Sequence, residues 1–190
     1  MATVYLTPNG DVYIGPWRTT SGGSSNLYDE VNDWFSNTEY VRLAENESDN
    51  LIFDLDMPVS DIGNVTQVDY EMYIRNEIDA VSTTSTLSAQ LVDSTNNPIT
   101  TSPSDFTLTD AEASFTLRTL STTSLSGTLN QSRMSGARLK ISGFADSSPG
   151  TTYLKISAIR VKLTYSVSSS FQAAWYTAPN PDKLLCPGLF

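Results

Sequence analysis

Two aspartates two residues apart, Asp54 and Asp56, come nearest to a catalytic arrangement in this sequence. Side chains at positions i and i+2 of a β-strand share one face, so these carboxylates could act as general acid and base in glycoside hydrolysis. Glu45, Glu47 and Asp49 precede them and could add oxygen ligands for calcium. The spacing is not that of an EF-hand, and a solvated strand face is the simpler interpretation. We therefore predict no catalytic residues and no metal site.

The residue types of the chain exclude several kinds of chemistry. Histidine is absent and there is a single cysteine, Cys186. Without histidine there can be no Ser-His-Asp or Cys-His nucleophilic site and no His-ligated zinc or haem. The sequence also contains no glycine-rich phosphate loop. We predict that the protein is not an enzyme and uses no cofactor.

Aromatic residues outside or beside the alternating apolar positions suggest a second kind of site. A β-sandwich that carries an aromatic strip and nearby carboxylates can bind carbohydrate. The residues predicted for glycan stacking are Trp17, Trp34 and Tyr73. The alternative is that Trp17, Trp34 and Phe35 close one end of the hydrophobic core.

Period-two alternation of apolar and polar residues predicts the elements that position these side chains. The clearest strand spans residues 67–75, and the apolar phase of the last strand shifts near Ala158, which predicts a β-bulge. About eight such segments separated by turns indicate an all-β, antiparallel β-sandwich that is jelly-roll-like. The apolar positions of the clearest strand are Val68, Tyr70, Met72 and Ile74.

Charged residues alternate with the apolar ones on the same strands. If the last strand lies beside the strand at 67–75, Arg160 and Lys162 would form cross-strand ion pairs with Asp69 and Glu71. The alternative is that the acidic and basic surfaces form interfaces between copies of the chain.

Length and charge limit the class of protein further. The chain has 190 residues, enough for one domain, and 49 of them are Ser or Thr, which suits strands and turns. Residues 1–112 carry 19 acidic and 3 basic side chains, whereas residues 113–190 carry 2 and 8. The net charge of −10 argues against a nucleic-acid partner. No apolar stretch is long enough to span a membrane, and we expect a soluble protein without a secretion signal.

The C-terminal segment differs from the rest. We predict a β-sandwich domain over residues 1–167 and an extended apolar arm over residues 168–190, because prolines there forbid a continuous helix or a central strand. The arm could fold over its own sandwich or dock on a neighbouring subunit. The predicted subunit contacts are Trp175, Tyr176, Leu184, Leu185, Leu189 and Phe190.

One region resembles a known group of proteins. Trp17 is followed by acidic and aromatic positions at 27–33 and 38–41, and then by apolar segments at 51–55 and 62–68. This succession resembles small β-sandwich virion structural proteins of tailed bacteriophages, and the likeness extends over residues 10–167. The resemblance implies a virion component that is assembled in the host cytoplasm. It supplies no catalytic residues.

The sequence and this resemblance together lead to one main expectation and two alternatives. We expect a homo-oligomeric capsid decoration (cement) protein that contacts other virion proteins, such as the major capsid protein. The alternatives are a tail or fibre component and a carbohydrate-binding module for host recognition, whose partner would be a glycan. No membrane partner is expected.

Overall fold

Alternating apolar residues build two antiparallel β-sheets in the computed structural model. It describes residues 1–34, 36, 38–57, 62–77, 84–101, 104–109, 111–146 and 153–166. Within these residues there are a 3-10 helix at Leu27–Glu30, a short helix α1 at Gln131–Met134 and eleven strands. The strands are β1 (Ala2–Leu6), β2 (Pro8–Tyr13), β3 (Arg18–Thr19), β4 (Val41–Ala44), β5 (Ser48–Leu55), β6 (Val65–Asn76), β7 (Ser85–Val92), β8 (Ser104–Leu108), β9 (Thr116–Thr122), β10 (Arg138–Phe144) and β11 (Tyr153–Tyr165).

The two sheets are stacked as a β-sandwich. The first sheet has the order β3-β4-β11-β6-β9, with β1 also paired to β11, and the second has the order β2-β5-β10-β7-β8. Strands β4 to β11 thus form two four-stranded layers, β4-β11-β6-β9 and β5-β10-β7-β8, which is the arrangement of a jelly roll. The predicted antiparallel sandwich is confirmed. The described residues form eleven strands rather than the predicted eight, because two strands, β1 and β2, precede residue 14 and the short strands β3 and β8 add two more.

The hydrophobic core lies between the sheets, and the clearest sequence pattern points into it. All four apolar residues of the β6 pattern have no exposed surface, as predicted. The register between β11 and β6 shifts between Ile156 and Ala158, which confirms the predicted bulge. Each large aliphatic side chain buried in this way contributes about 1.5–3 kcal/mol. The buried residues of the β6 pattern are Val68, Tyr70, Met72 and Ile74.

Trp17 belongs to this core, so its prediction as a glycan-stacking residue is wrong. Its side chain is 0% exposed. It packs where β10 has a glycine: a Cβ added to Gly143 would lie 2.6 Å from Trp17 Cζ2 and 3.1 Å from Leu43 Cδ2. The indole fills the space that a side chain at residue 143 would occupy, which leaves none of its ring accessible to a ligand.

The predicted C-terminal arm, residues 168–190, lies outside the described residues, and so do its six predicted subunit contacts. Strand β11 ends at Tyr165, close to the predicted domain end at residue 167. Within the described part of the chain, no helix has the length and apolar character that a membrane span requires.

Candidate functional site

The outward-facing side chains of the first sheet include several aromatic rings that contact basic side chains. Outward residues alternate with core residues along each strand, so β11 presents Arg160 and Lys162, and β6 presents Asp69, Glu71 and Tyr73. The register places Arg160 directly opposite Glu71 and Lys162 directly opposite Asp69. We call this surface the outer face.

A loop anchored to the edge of β11 brings Trp34 onto this face. β4 pairs with the first part of β11 and β1 with the last part, and in the gap between them the Ile159 amide donates to the Val31 carbonyl at 3.0 Å. Upstream, the Asp11 carboxylate accepts hydrogen bonds from the amides of Leu27 and Tyr28 at 2.9 and 2.8 Å. These bonds fix the start of the 3-10 helix and the loop that follows it.

Trp34 and Tyr73, two of the three residues predicted for glycan stacking, lie together here. Their ring centroids are 5.3 Å apart in an edge-to-face arrangement with an interplanar angle of 65°. The guanidinium carbon of Arg160 lies 3.4 Å from the Trp34 ring centroid and 4.1 Å from that of Tyr5 on β1. Trp34 remains 38% exposed and Tyr5 47% exposed. We call these four residues, Tyr5, Arg160, Trp34 and Tyr73, the aromatic ridge.

The aromatic ridge extends over three neighbouring strands. Tyr5 lies on β1, Arg160 on β11 and Tyr73 on β6. Adjacent strands are about 4.8 Å apart, which separates β1 from β6 by about 10 Å. Tyr5 lies opposite Lys162 and Tyr73 opposite Ala158, so the two residues also differ by about 13 Å along β11, and the ridge is about 16 Å long. That length is sufficient for a short oligomeric ligand.

Ion pairs hold the cationic member of the ridge. Arg160 Nε donates to Glu71 Oε2 at 2.6 Å, and Lys162 Nζ lies 3.3 Å from Asp69 Oδ2, so the predicted cross-strand pairs are confirmed. Burial raises the pKa of Asp69, but hydrogen bonds from Ser121, Gln67 and Lys162 outweigh it and hold the pKa below its ordinary value. The hydrogen bond to Asp69 raises the pKa of Lys162. Both residues are therefore charged at neutral pH.

An acidic depression begins at the residue before Trp34. It has a volume of about 380 Å³. One of its carboxylates is committed to the fold, because Glu30 Oε2 accepts from the Thr20 hydroxyl at 2.6 Å and from the Tyr40 amide at 3.2 Å. The other side chains present oxygen atoms that can accept hydrogen bonds from a ligand. The depression is lined by Asp29, Glu30, Asn32, Asp33 and Glu39.

The two carboxylates of Asp54 and Asp56 hydrogen-bond to different partners. Asp54 Oδ1 accepts from Arg138 Nε at 2.9 Å, whereas Asp56 accepts from Thr7 and Asn9 on the neighbouring segment. Each carboxylate thus has structural partners of its own. In the part of the chain that the structure describes, no group of three or more acidic or cysteine side chains is arranged to hold a metal ion.

Comparisons with known proteins give distant structural likenesses only. No protein-family model matches this sequence, and no curated protein matches it. The chain is similar in structure to TmCBM61 in complex with beta-1,4-galactotriose (TM-score 0.40, 11% identity, covering 80% of this chain and 90% of that chain). It is also similar to the xylan-binding module CBM15 (TM-score 0.40, 12% identity, covering 87% of this chain and 100% of that chain). A third similar structure is the K3 cleaved adhesin domain of Lys-gingipain from Porphyromonas gingivalis (TM-score 0.42, 12% identity, covering 85% of this chain and 99% of that chain). With TM-scores below 0.5, these likenesses carry no weight for function.

Proposed function

We propose that this protein is a carbohydrate-binding β-sandwich whose ligand lies on the aromatic ridge. The observation that carries the proposal is the environment of Trp34: this residue is 38% exposed, yet its ring contacts both Arg160 and Tyr73. Large exposed apolar rings on a soluble protein mark interaction surfaces, above all where polar groups surround them.

The chemistry of the surface suits a sugar. A sugar ring presents C–H groups that pack on an aromatic ring and hydroxyls that need hydrogen-bond partners. The aromatic ridge supplies the rings, and the adjoining depression supplies carboxylate and amide oxygens at Asp29, Asn32 and Asp33. Because Arg160 and the anchored loop fix the Trp34 ring before a ligand arrives, little ordering entropy is lost on binding.

The experiment is a screen of a glycan panel with the full chain, followed by affinity measurements on variants. Trp34→Ala and Tyr73→Ala should each weaken binding of a glycan found in the screen by roughly tenfold or more, as when an aromatic anchor is truncated. Phe144→Ala is the matched control, because Phe144 is also 38% exposed but lies on β10 of the second sheet. Equal affinities for wild type and the Trp34 variant, or no binding to any glycan, would contradict the proposal.

A second candidate function is that of an oligomeric virion component, either a capsid decoration protein or a tail or fibre part. Two observations support it: the resemblance over residues 10–167 and the apolar composition of residues 171–190. The two proposals are compatible, because a particle component can also carry a glycan site for host recognition. They are distinguished by the state of assembly of the full chain, which the virion function requires to be oligomeric.

A further inference from the structure

Four basic side chains lie side by side at one end of the first sheet. The register places Arg18 on β3 directly opposite Arg42 on β4, Arg42 opposite Lys155 on β11, and Lys155 opposite Arg75 on β6. Like charges directly opposite one another on neighbouring strands destabilise a sheet. This arrangement therefore needs negative charge nearby.

Only one half of this row is neutralised within the described residues. Glu77 Oε1 lies 2.7 Å from Lys155 Nζ and 3.1 Å from Arg75 Nη2. Arg18 and Arg42 form no ion pair with a described carboxylate. Four of the five other arginines of the described chain do form one, and Arg133 donates to the carbonyl of Ser126 instead. The four pairs are Arg75–Glu77, Arg118–Glu112, Arg138–Asp54 and Arg160–Glu71.

The contacts that Arg18 and Arg42 do make leave their charge uncompensated. Arg18 Nη1 donates to the carbonyls of Gly15 and Trp17 at 3.0 and 2.7 Å, which are neutral acceptors. The guanidinium of Arg42 lies 4.4 Å from the ring centroid of Tyr153. Its Nε is buried and has no hydrogen-bond partner among the residues that the structure describes.

A concave site surrounds the two arginines. It has a volume of about 290 Å³ and is lined by Arg18, Arg42, Pro16, Gly22, Glu47 and Tyr153, among others. Gly22 has a φ of +91°, and a Cβ there would lie 3.3 Å from Arg42 Nη2, so glycine leaves this side of the guanidinium open. Glu47 is the carboxylate of the pocket, and it forms no ion pair with Arg18 or Arg42.

We propose that this pocket binds an oxyanion carried by a glycan, either the carboxylate of a uronic acid or a sulfate ester. A guanidinium fork makes two parallel hydrogen bonds to such a group, and a second positive charge strengthens them. The inference rests on the proposed carbohydrate function. Tyr153 at this pocket and Arg160 in the aromatic ridge lie on the same strand, about 23 Å apart at 3.3 Å per residue. A glycan of a few units can contact both.

The test compares acidic glycans with neutral counterparts of the same sugars by isothermal titration calorimetry. One pair is trigalacturonate and its fully methyl-esterified form; the other is a sulfated and an unsulfated galacto-oligosaccharide. We expect the acidic member of at least one pair to bind more tightly, and the pair that shows it identifies the source of the oxyanion. Raising the salt concentration should weaken the acidic member only.

Variants locate the effect in the pocket. Arg42→Gln should weaken binding of the acidic ligand roughly tenfold or more and leave the neutral one unchanged. Arg42→Lys, which keeps the charge but loses the planar fork, should be intermediate. Glu47→Gln should tighten acidic binding by roughly two- to fivefold, because it removes a repelling charge. Arg118→Gln is the matched control, since it changes the net charge equally on β9 at the other edge of the sheet.

Three results would overturn the anion site. They are equal binding of acidic and neutral ligands, an equal effect of Arg42→Gln and Arg118→Gln, and no binding of any acidic ligand. Failure of the anion site is distinguishable from failure of the proposed function. If a neutral glycan binds in a manner that depends on Trp34, and acidic groups do not increase the affinity, the result contradicts the anion site alone. If binding of an acidic glycan depends on Arg42 but not on Trp34, the result contradicts only the proposal that the aromatic ridge binds the ligand.

Discussion

The guanidinium carbon of Arg160 lies over the Trp34 ring, 3.4 Å from its centroid, while Arg160 Nε donates a hydrogen bond to Glu71 Oε2 at 2.6 Å. One side chain thus joins a loop tryptophan to the surface of the first sheet. Arg160 is a positioning residue in this account, because its contact with Glu71 fixes the guanidinium and the guanidinium fixes the indole.

Replacing this arginine should release Trp34. In Arg160→Gln the cation–π contact is lost and the largely buried Glu71 carboxylate loses its partner, so the free energy of unfolding should fall by about 1–2 kcal/mol. Acrylamide quenching of tryptophan fluorescence should increase, and glycan affinity should drop. Lys162→Gln removes the same charge one position along the face without touching Trp34, and it should leave quenching unchanged. If acrylamide quenches the tryptophan fluorescence of both variants to the same extent, Arg160 does not position the indole.

A glycine in the core should tolerate no side chain. Gly143→Ala places a Cβ 2.6 Å from Trp17 Cζ2, and overpacking of this kind costs about 1–3 kcal/mol. Urea unfolding should show a lower midpoint with an unchanged slope. Gly10→Ala on β2 is the control, because its nearest neighbours are atoms of Asp54 at 3.9 Å. A Gly143 variant as stable as the Gly10 variant would show that Trp17 is not packed as described.

The stability of the sandwich should fall at high pH because of Tyr70. Burial raises the pKa of Tyr70 to about 12, against the opposing effect of its hydrogen bonds with Thr100 and the Leu91 amide. Its contribution is fully present below pH 10, where the unfolded chain is still protonated, and it is lost as pH rises towards 12. The loss should total about 2–3 kcal/mol.

The measurement is the free energy of unfolding in urea at several pH values between 9 and 12. Tyr70→Phe removes the titrating hydroxyl and should flatten this part of the profile, leaving the smaller decline due to Lys162, whose pKa is also raised. The variant loses the partner of Leu91, so its stability at neutral pH should be lower. An alkaline decline as steep in the variant as in wild type would rule out Tyr70 as its cause.

The second candidate function predicts a change of mass on truncation. If residues 171–190 clamp neighbouring subunits, light scattering of the full chain should give a trimer or larger species, and a chain that ends at Ser170 should lose subunits while its β-sandwich stays folded. Circular dichroism of the shortened chain supplies the folding control. Equal masses for the two chains would remove self-assembly through this segment.

Period-two alternation is sufficient to predict the sandwich, because burial of one face of a strand requires an apolar residue at every second position. It also predicted the bulge at residues 156–158. The pairing of Arg160 with Glu71 is predicted only on the condition that the last strand lies beside the strand at 67–75, and the register of β11 and β6 meets that condition. The alternation misassigned Trp17, because a tryptophan between two short strands carries no periodicity that shows which way the loop turns. Trp17 is buried because the lack of a side chain at Gly143 leaves space for its indole, and this is visible only in the tertiary structure.

The composition of the candidate site was harder to predict. The positions of Trp34 and Tyr73 outside the core pattern predict them as glycan-stacking residues. No feature of the neighbouring sequence indicates that Arg160 and Tyr5 join them. These residues come from opposite ends of the chain and meet because β1 and β6 both pair with β11. The Arg18–Arg42 juxtaposition is likewise a product of tertiary register and leaves no local signal.

The most direct test of the account follows the three tryptophan indole N–H signals by NMR during titration with a glycan from the screen, with signals assigned through Trp34→Phe and Trp17→Phe. We predict that the Trp34 signal shifts with ligand concentration in proportion to site occupancy. The signal of buried Trp17 should stay in place. A glycan that binds without moving the Trp34 signal would contradict the claim that the aromatic ridge is the binding site.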